Sequence, residues 1–194
     1  MRTKLLTIAT AAAAATATAS TEALAHTGHN VAFAMHDGLV HPLAGADHLL
    51  AMLAVGIWAA QLGGRALLAL PAAFVAAMVV GALTAHSGLA TGGIELAIVG
   101  SVIVLGAAIA LKLDLGLATS IAVTALFALA HGQAHGLEVP AGAGIAAYVG
   151  GFAIATAALH ASGIVAGRLL SRAPALVRTL GVAISAAGIA MASA

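Results

Sequence analysis

Long apolar runs dominate the chain, and polar residues interrupt them at only a few places. Runs of membrane-crossing length lie near residues 38–60, 66–86, 94–111, 115–134, 141–165 and 175–193; crossing the hydrocarbon core takes about 20 residues of helix. Gly63-Gly64-Arg65, Ser87-Gly88, Lys112-Leu113-Asp114, Val139-Pro140 and the segment 168–174 separate the runs with turn formers and charges. The pattern predicts an all-α, polytopic membrane protein, a six-transmembrane helix bundle that forms one domain over residues 26–194. Ahead of it, Arg2 and Lys4 precede an apolar stretch that ends in the small-x-small tripeptide Ala23-Leu24-Ala25. That order predicts a cleavable signal peptide over residues 1–25 and a mature chain that starts at His26.

Composition confirms the compartment and narrows the chemistry. The chain is 62% hydrophobic and 7% charged with a mean hydropathy of +1.13, whereas a soluble domain carries about 25% charged residues. Its 23 glycines suit the close helix contacts of membrane bundles. A net charge of +1 without a basic run excludes a nucleic-acid surface. With no cysteine, disulfides and thiolate metal sites are excluded, so any metal would have nitrogen and oxygen ligands. If the mature amino end lies outside, Arg65, Lys112, Arg168, Arg172 and Arg178 all fall in inner loops or at inner helix ends, as the positive-inside rule requires.

That orientation gathers the remaining polar residues at the outer side. The stretch from His41 to Trp58 holds Asp47 and His48 in an apolar run, and an aspartate in mid-membrane costs about 2.5–3.5 kcal/mol unless it faces protein, water or an ion. Read as one helix, it places His41 and His48 on a shared face, seven residues apart, with Asp47 about 100° away from His48. The plain alternative is that Asp47 and His48 only pair with a neighbouring helix for packing specificity. His86 and Glu95 fall at outer ends of the second and third spans, and His131 and His135 at the outer end of the fourth, with Glu138 just beyond. His131 and His135 are four apart, stack on one helix face and can chelate one ion. Gly132 and Gly136, also four apart, predict a close helix contact on another face.

Other polar residues carry weaker signals. His26, His29, His36 and Asp37 form a loose cluster ahead of the first span that could capture a metal ion. Of nine histidines only His160 falls toward the inner side, where it could serve as an exit-side ligand. The segments from His86 and from His160 hint at a three-plus-three inverted repeat. Trp58 and Gln61 fit an interfacial anchor, and Lys112 with Asp114 a solvated inner turn.

The motif residues resemble those of the HupE/UreJ family. His41-Pro42, Gly45, Asp47-His48, Ala51-Met52, Val55-Gly56 and Trp58 are similar to its first-span signature. His131-Gly132-x-Ala134-His135-Gly136-x-Glu138-x-Pro140 resembles its fourth-span motif, with Ala130 standing where that motif carries Phe. The resemblance implies a nickel, or nickel and cobalt, permease, and the cleaved amino end with the positive-inside rule places both termini of the mature chain on the periplasmic or outer side of the bacterial inner (cytoplasmic) membrane. The resemblance implies metal-handling roles for His41, Asp47, His48, His131, His135 and Glu138, and a supply of nickel to the metallochaperones of hydrogenase or urease. No prosthetic cofactor is expected; the metal ion is the cargo.

Imidazole suits nickel, copper, zinc and iron, and a site without thiolate does not favour copper(I). A permeation site must also release its ion, so its coordination is expected to be incomplete or shared between states. Proton competition for imidazole predicts that transport falls as pH drops through about 6.5, the ordinary histidine value. Two other classes compete with a permease. An intramembrane zinc enzyme would hold its metal with His131, His135 and His48 and use Asp47 or Glu138 as general base, although a zincin would carry Glu where this chain has Gly132. A membrane metal sensor or assembly subunit would bind metal without moving it.

Overall fold

The computed structural model describes residues 29–193, all of whose regular elements are helices. In chain order they are α1 (His29–Ala44), α2 (Ala46–Leu62), α3 (Ala66–His86), α4 (Ile94–Ala110), α5 (Leu117–Leu137), α6 (Ile145–Leu169) and α7 (Pro174–Ala192), with a 3-10 turn, Leu170–Arg172, after α6. The expected signal peptide and His26 lie outside the described residues.

By length and composition α3, α5, α6 with its 3-10 extension, and α7 can each cross a bilayer. The expected first span is instead broken: α1 and α2 meet at Gly45 and are bent by 82°. Gly45 takes an extended conformation, φ −94° and ψ 120°, which ends the helical hydrogen-bond ladder. His41 and His48 therefore do not share a helix face, and the wheel reading of that stretch is corrected. α4 is apolar but has 17 residues, about 25 Å at 1.5 Å per residue. Elsewhere the boundaries follow the turn chemistry. α5 runs past the expected end at residue 134 to Leu137 and so carries His135 within it, while Pro140 and Gly142, with φ 78°, delay α6 to Ile145.

Glycines set the packing. α3 and α5 run parallel, and a Cβ on Gly132 or Gly136 would overlap the Met78 or Ala82 carbonyl, while one on Gly81 would overlap Leu129. The expected Gly132/Gly136 contact is thus with α3. α2 and α6 meet in the same way through Gly56 and Gly163, and α1 crosses α6 at Gly38 and Gly151. Without a hydrophobic driving force between helices in lipid, such close backbone approach supplies dispersion contact. Around it lie Met52, Trp58, Leu70, Phe74, Met78, Tyr148 and Phe152, all buried, while Leu68, Leu126, Leu169 and Val182 face outward.

Trp58 is not an interfacial anchor. It is 1% exposed, and its Nε1 donates to the Leu113 carbonyl at 3.0 Å. Gln61 Nε2 donates to the Ile109 carbonyl at 3.1 Å. The end of α2 thereby binds carbonyls at and just beyond the C-terminal end of α4, where a helix offers acceptors to side chains.

Candidate metal pathway

The break at Gly45 places Asp47 and His48 in the first turn of α2. Asp47 Oδ1 accepts from the His48 backbone N at 2.7 Å and from His48 Nδ1 at 2.8 Å. A Cβ on Gly45 would lie 2.8 Å from that oxygen and 3.2 Å from Nδ1, so the pair needs glycine there. A carboxylate accepts only, so His48 Nδ1 carries the proton and Nε2 keeps its lone pair. His48 Nε2 is buried and has no hydrogen-bond partner.

His131 is oriented in a similar way from the other side. Ser101 Oγ on α4 donates to the Ile98 carbonyl at 2.6 Å and lies 2.9 Å from His131 Nε2. With its single hydroxyl proton committed, Ser101 accepts, so Nε2 is the protonated nitrogen of His131 and Nδ1 holds the lone pair. His131 Nδ1 is likewise buried and unpartnered, as are both nitrogens of His135. His135 stacks on Phe152 with centroids 4.8 Å apart and planes at 15°. Unpaired buried imidazole nitrogens cost about 1–3 kcal/mol each, and an ion between them removes that cost.

The imidazoles form a row. His41 lies 4.8 Å from His135, His135 4.9 Å from His48, and His48 4.6 Å from His131, all centroid to centroid. At its outer end His41 Nε2 pairs with Glu138 Oε2 at 2.5 Å. One ligand atom each from His41, His135 and Glu138 lies within 4.8 Å of the others. Glu138 caps α5 rather than continuing it, and it is exposed while His131 and His135 are buried completely. Carboxylate and half-exposed imidazole at the rim thus lead to buried imidazoles inside. All six motif residues, His41, Asp47, His48, His131, His135 and Glu138, meet in one constellation.

The other candidates separate. Glu95 lines a cavity of about 330 Å³ with Glu138, Thr91 and Ala134, beside the rim. Gln133, unremarked in the sequence, shapes that wall by accepting from the Thr91 backbone N at 3.2 Å and hydroxyl at 2.7 Å. His36 faces Asp37 at 3.6 Å on exposed α1, and His86 is exposed at the end of α3. Among the described residues neither has a hydrogen bond or ring contact to the row; of His29 only its place at the start of α1 is described. His160 sits on α6 with its Nδ1 donating to the Met52 carbonyl at 2.8 Å. Phe74 lies between it and the row, 4.9 Å from His160 and 5.5 Å from His131.

Sequence reading missed Ser101, Phe74, Phe152 and also Tyr148, whose ring lies 5.9 Å from that of His41. Ser101 was findable as the lone hydroxyl within the apolar run Ile94–Ala110; the aromatic residues look like any core residue. Asp47→Asn tests the tautomer argument, since an amide can turn its NH2 toward His48 and leave the Nδ1 proton without an acceptor. Uptake or metal affinity should fall about 10- to 100-fold with unchanged expression. Wild-type behaviour would show that the carboxylate does not orient His48.

Comparison with known proteins agrees with the motifs. The sequence model described as HupE / UreJ protein matches residues 13–191. The chain is 40% identical over 156 residues to Protein HupE of Rhizobium leguminosarum bv. viciae, covering 79% of this chain and 82% of that relative. No solved structure matches.

Proposed function

The chain belongs to the HupE/UreJ family, and from that premise we propose that it is a permease that carries nickel, with cobalt as second candidate, inward across the bacterial inner membrane. The observation that carries this reading is the row of four imidazoles, His41, His135, His48 and His131, in which buried lone pairs have no partner. In this reading α4 crosses as the sixth span, the basic loops face the cytoplasm, and both termini of the mature chain face the periplasm.

Glu95 and Glu138 draw the hydrated divalent ion to the outer rim. His41 and His135 replace its first waters, and His48 Nε2 and His131 Nδ1 take it deeper. Asp47 compensates the ion's charge through the His48 ring, which lowers the cost of bringing a dication among apolar helices. Neighbouring stations that share His135 and His48 hold the ion weakly enough for it to move on. His36, Asp37, His29 and His26 supply capture residues outside the rim, and His160 stands beyond Phe74 on the inward side. Delivery then goes to metallochaperones of hydrogenase or urease.

A hydrolytic zinc enzyme would need a carboxylate free to take a proton from metal-bound water. Asp47 and Glu138 instead hold His48 and His41, which favours transport over catalysis.

Radioactive nickel uptake by cells expressing the protein tests this reading, with cobalt and zinc as competitors. Uptake should exceed that of control cells, cobalt should compete, and uptake should fall as the external medium is acidified, because protonated imidazole offers no lone pair. Uptake no greater than control by well-expressed protein, with metal retained on purification, would replace the permease by a metal-binding sensor or assembly subunit.

A further inference from the structure

The basic end of the bundle, opposite the histidines, contains a cavity of about 480 Å³. Gln61 of α2, Lys112 after α4, Ser171 of the 3-10 turn and Arg178 of α7 line it together with Leu111 and Val177. Nothing in the metal pathway uses it, and two cations at its wall would repel a dication. We propose that this cavity binds the phosphate of an anionic phospholipid headgroup.

Lys112 carries the first argument. α4 ends in a Schellman motif: Leu113 N donates to the Ala108 carbonyl at 2.9 Å and Lys112 N to the Ile109 carbonyl at 3.2 Å. That motif puts Lys112 at φ 52°, the single positive φ of a non-glycine residue among those described. Glycine takes this position without penalty, whereas a residue with a Cβ is disfavoured there. The chain therefore keeps a lysine where the backbone prefers glycine, at a position that lines the cavity.

The second argument is charge balance. Among the described residues neither Lys112 nor Arg178 has a carboxylate within ion-pair distance. Asp114, the nearest acidic residue in sequence, accepts from the Gly116 backbone N at 3.0 Å and lines a different cavity, with Arg65. An anion is thus the missing partner, and phosphate oxygens match an ammonium, a guanidinium and the Ser171 hydroxyl.

The third argument selects the headgroup. Gln61 Oε1 is buried without a donor, while its Nε2 is held by Ile109. A phosphate cannot satisfy an amide oxygen, but a headgroup hydroxyl can. Phosphatidylglycerol combines a phosphate with hydroxyls, and exposed Leu111 at the cavity suits its acyl chains. Basic pockets between helices at this level of a membrane favour anionic headgroups.

The test uses full-length protein in neutral detergent, titrated with phosphatidylglycerol, with zwitterionic phosphatidylethanolamine, and with soluble glycerol 3-phosphate, read by native mass spectrometry and by thermal midpoint. One phosphatidylglycerol should bind per chain and raise the midpoint, with phosphatidylethanolamine weaker. Lys112→Gly and Arg178→Gln should each weaken binding about fivefold, while Arg65→Gln should leave it unchanged. Lys112→Gly is the sharper variant, because it removes the charge and relaxes the backbone, so lost binding cannot come from misfolding. Equal retention by Lys112→Gly and wild type would overturn the proposal, as would equal loss in Arg65→Gln. Saturation by glycerol 3-phosphate at the same concentration as the lipid would overturn the lipid as occupant and assign the cavity to a soluble phosphate ester.

Discussion

Nickel uptake should fall about a hundredfold or more in His131→Ala and in His48→Ala, and the double variant should be no worse than either alone. The two rings touch at 4.6 Å, and each offers one buried lone pair whose direction is set by a partner on its other nitrogen, Asp47 for His48 and Ser101 for His131. Removing an orienting partner alone costs about 10- to 100-fold in metal affinity, so removing a ligand costs at least as much. Two residues that act on one ion form a unit, and their losses do not add. His86→Ala, at an exposed position without contact to the row, should retain most uptake. The measurement is radioactive nickel uptake normalised to membrane expression. Additive losses would mean that the two rings serve separate ions or steps, and full activity in His131→Ala would remove His131 from the path.

The second large effect concerns the frame that holds those rings. Gly132→Ala should lower the stability of the bundle by about 1–3 kcal/mol or more, because its new methyl would overlap the Met78 backbone of α3. A side chain in the way could rotate, but a helix backbone can only move bodily, and α3 is also held at Gly136 and Gly81. Since His131 precedes Gly132 on α5, displacement of the helix also moves the ligand row, so uptake should fall with stability. Gly100→Ala on α4 is the matched control. Nothing lies within 4 Å of a Cβ there, and alanine in a helix gains up to about 1 kcal/mol over glycine. Thermal midpoints in the same detergent separate the two. A Gly132→Ala midpoint equal to that of wild type would contradict the close α3–α5 contact.

The amino-acid sequence alone determined the helical class, the turns and the residue types of the candidate site. Apolar run length and turn residues define α3 to within the residues observed and place α4 and α7 within one residue at each end. These features are local: a helix in lipid must satisfy its own backbone, so its extent follows from where the apolar residues begin and end. The two motifs also named the six residues that converge, because histidine, aspartate and glutamate in an apolar segment are expensive without a purpose.

Tertiary structure alone decided how those residues meet. Residues 38–60 read as one span of sufficient length, and Pro42 and Gly45 within it did not by themselves fix the 82° bend at Gly45; the bend accompanies the Asp47–His48 pair and the crossing of α1 over α6. It turns His41 toward Glu138 and His135 instead of leaving it two turns above His48. Trp58 reads as an interfacial residue until the end of α2 is seen to cap α4. Ser101, Phe74 and Phe152 acquire roles from contacts across helices. Periodicity describes one helix at a time, whereas which lone pairs remain free depends on hydrogen bonds between helices.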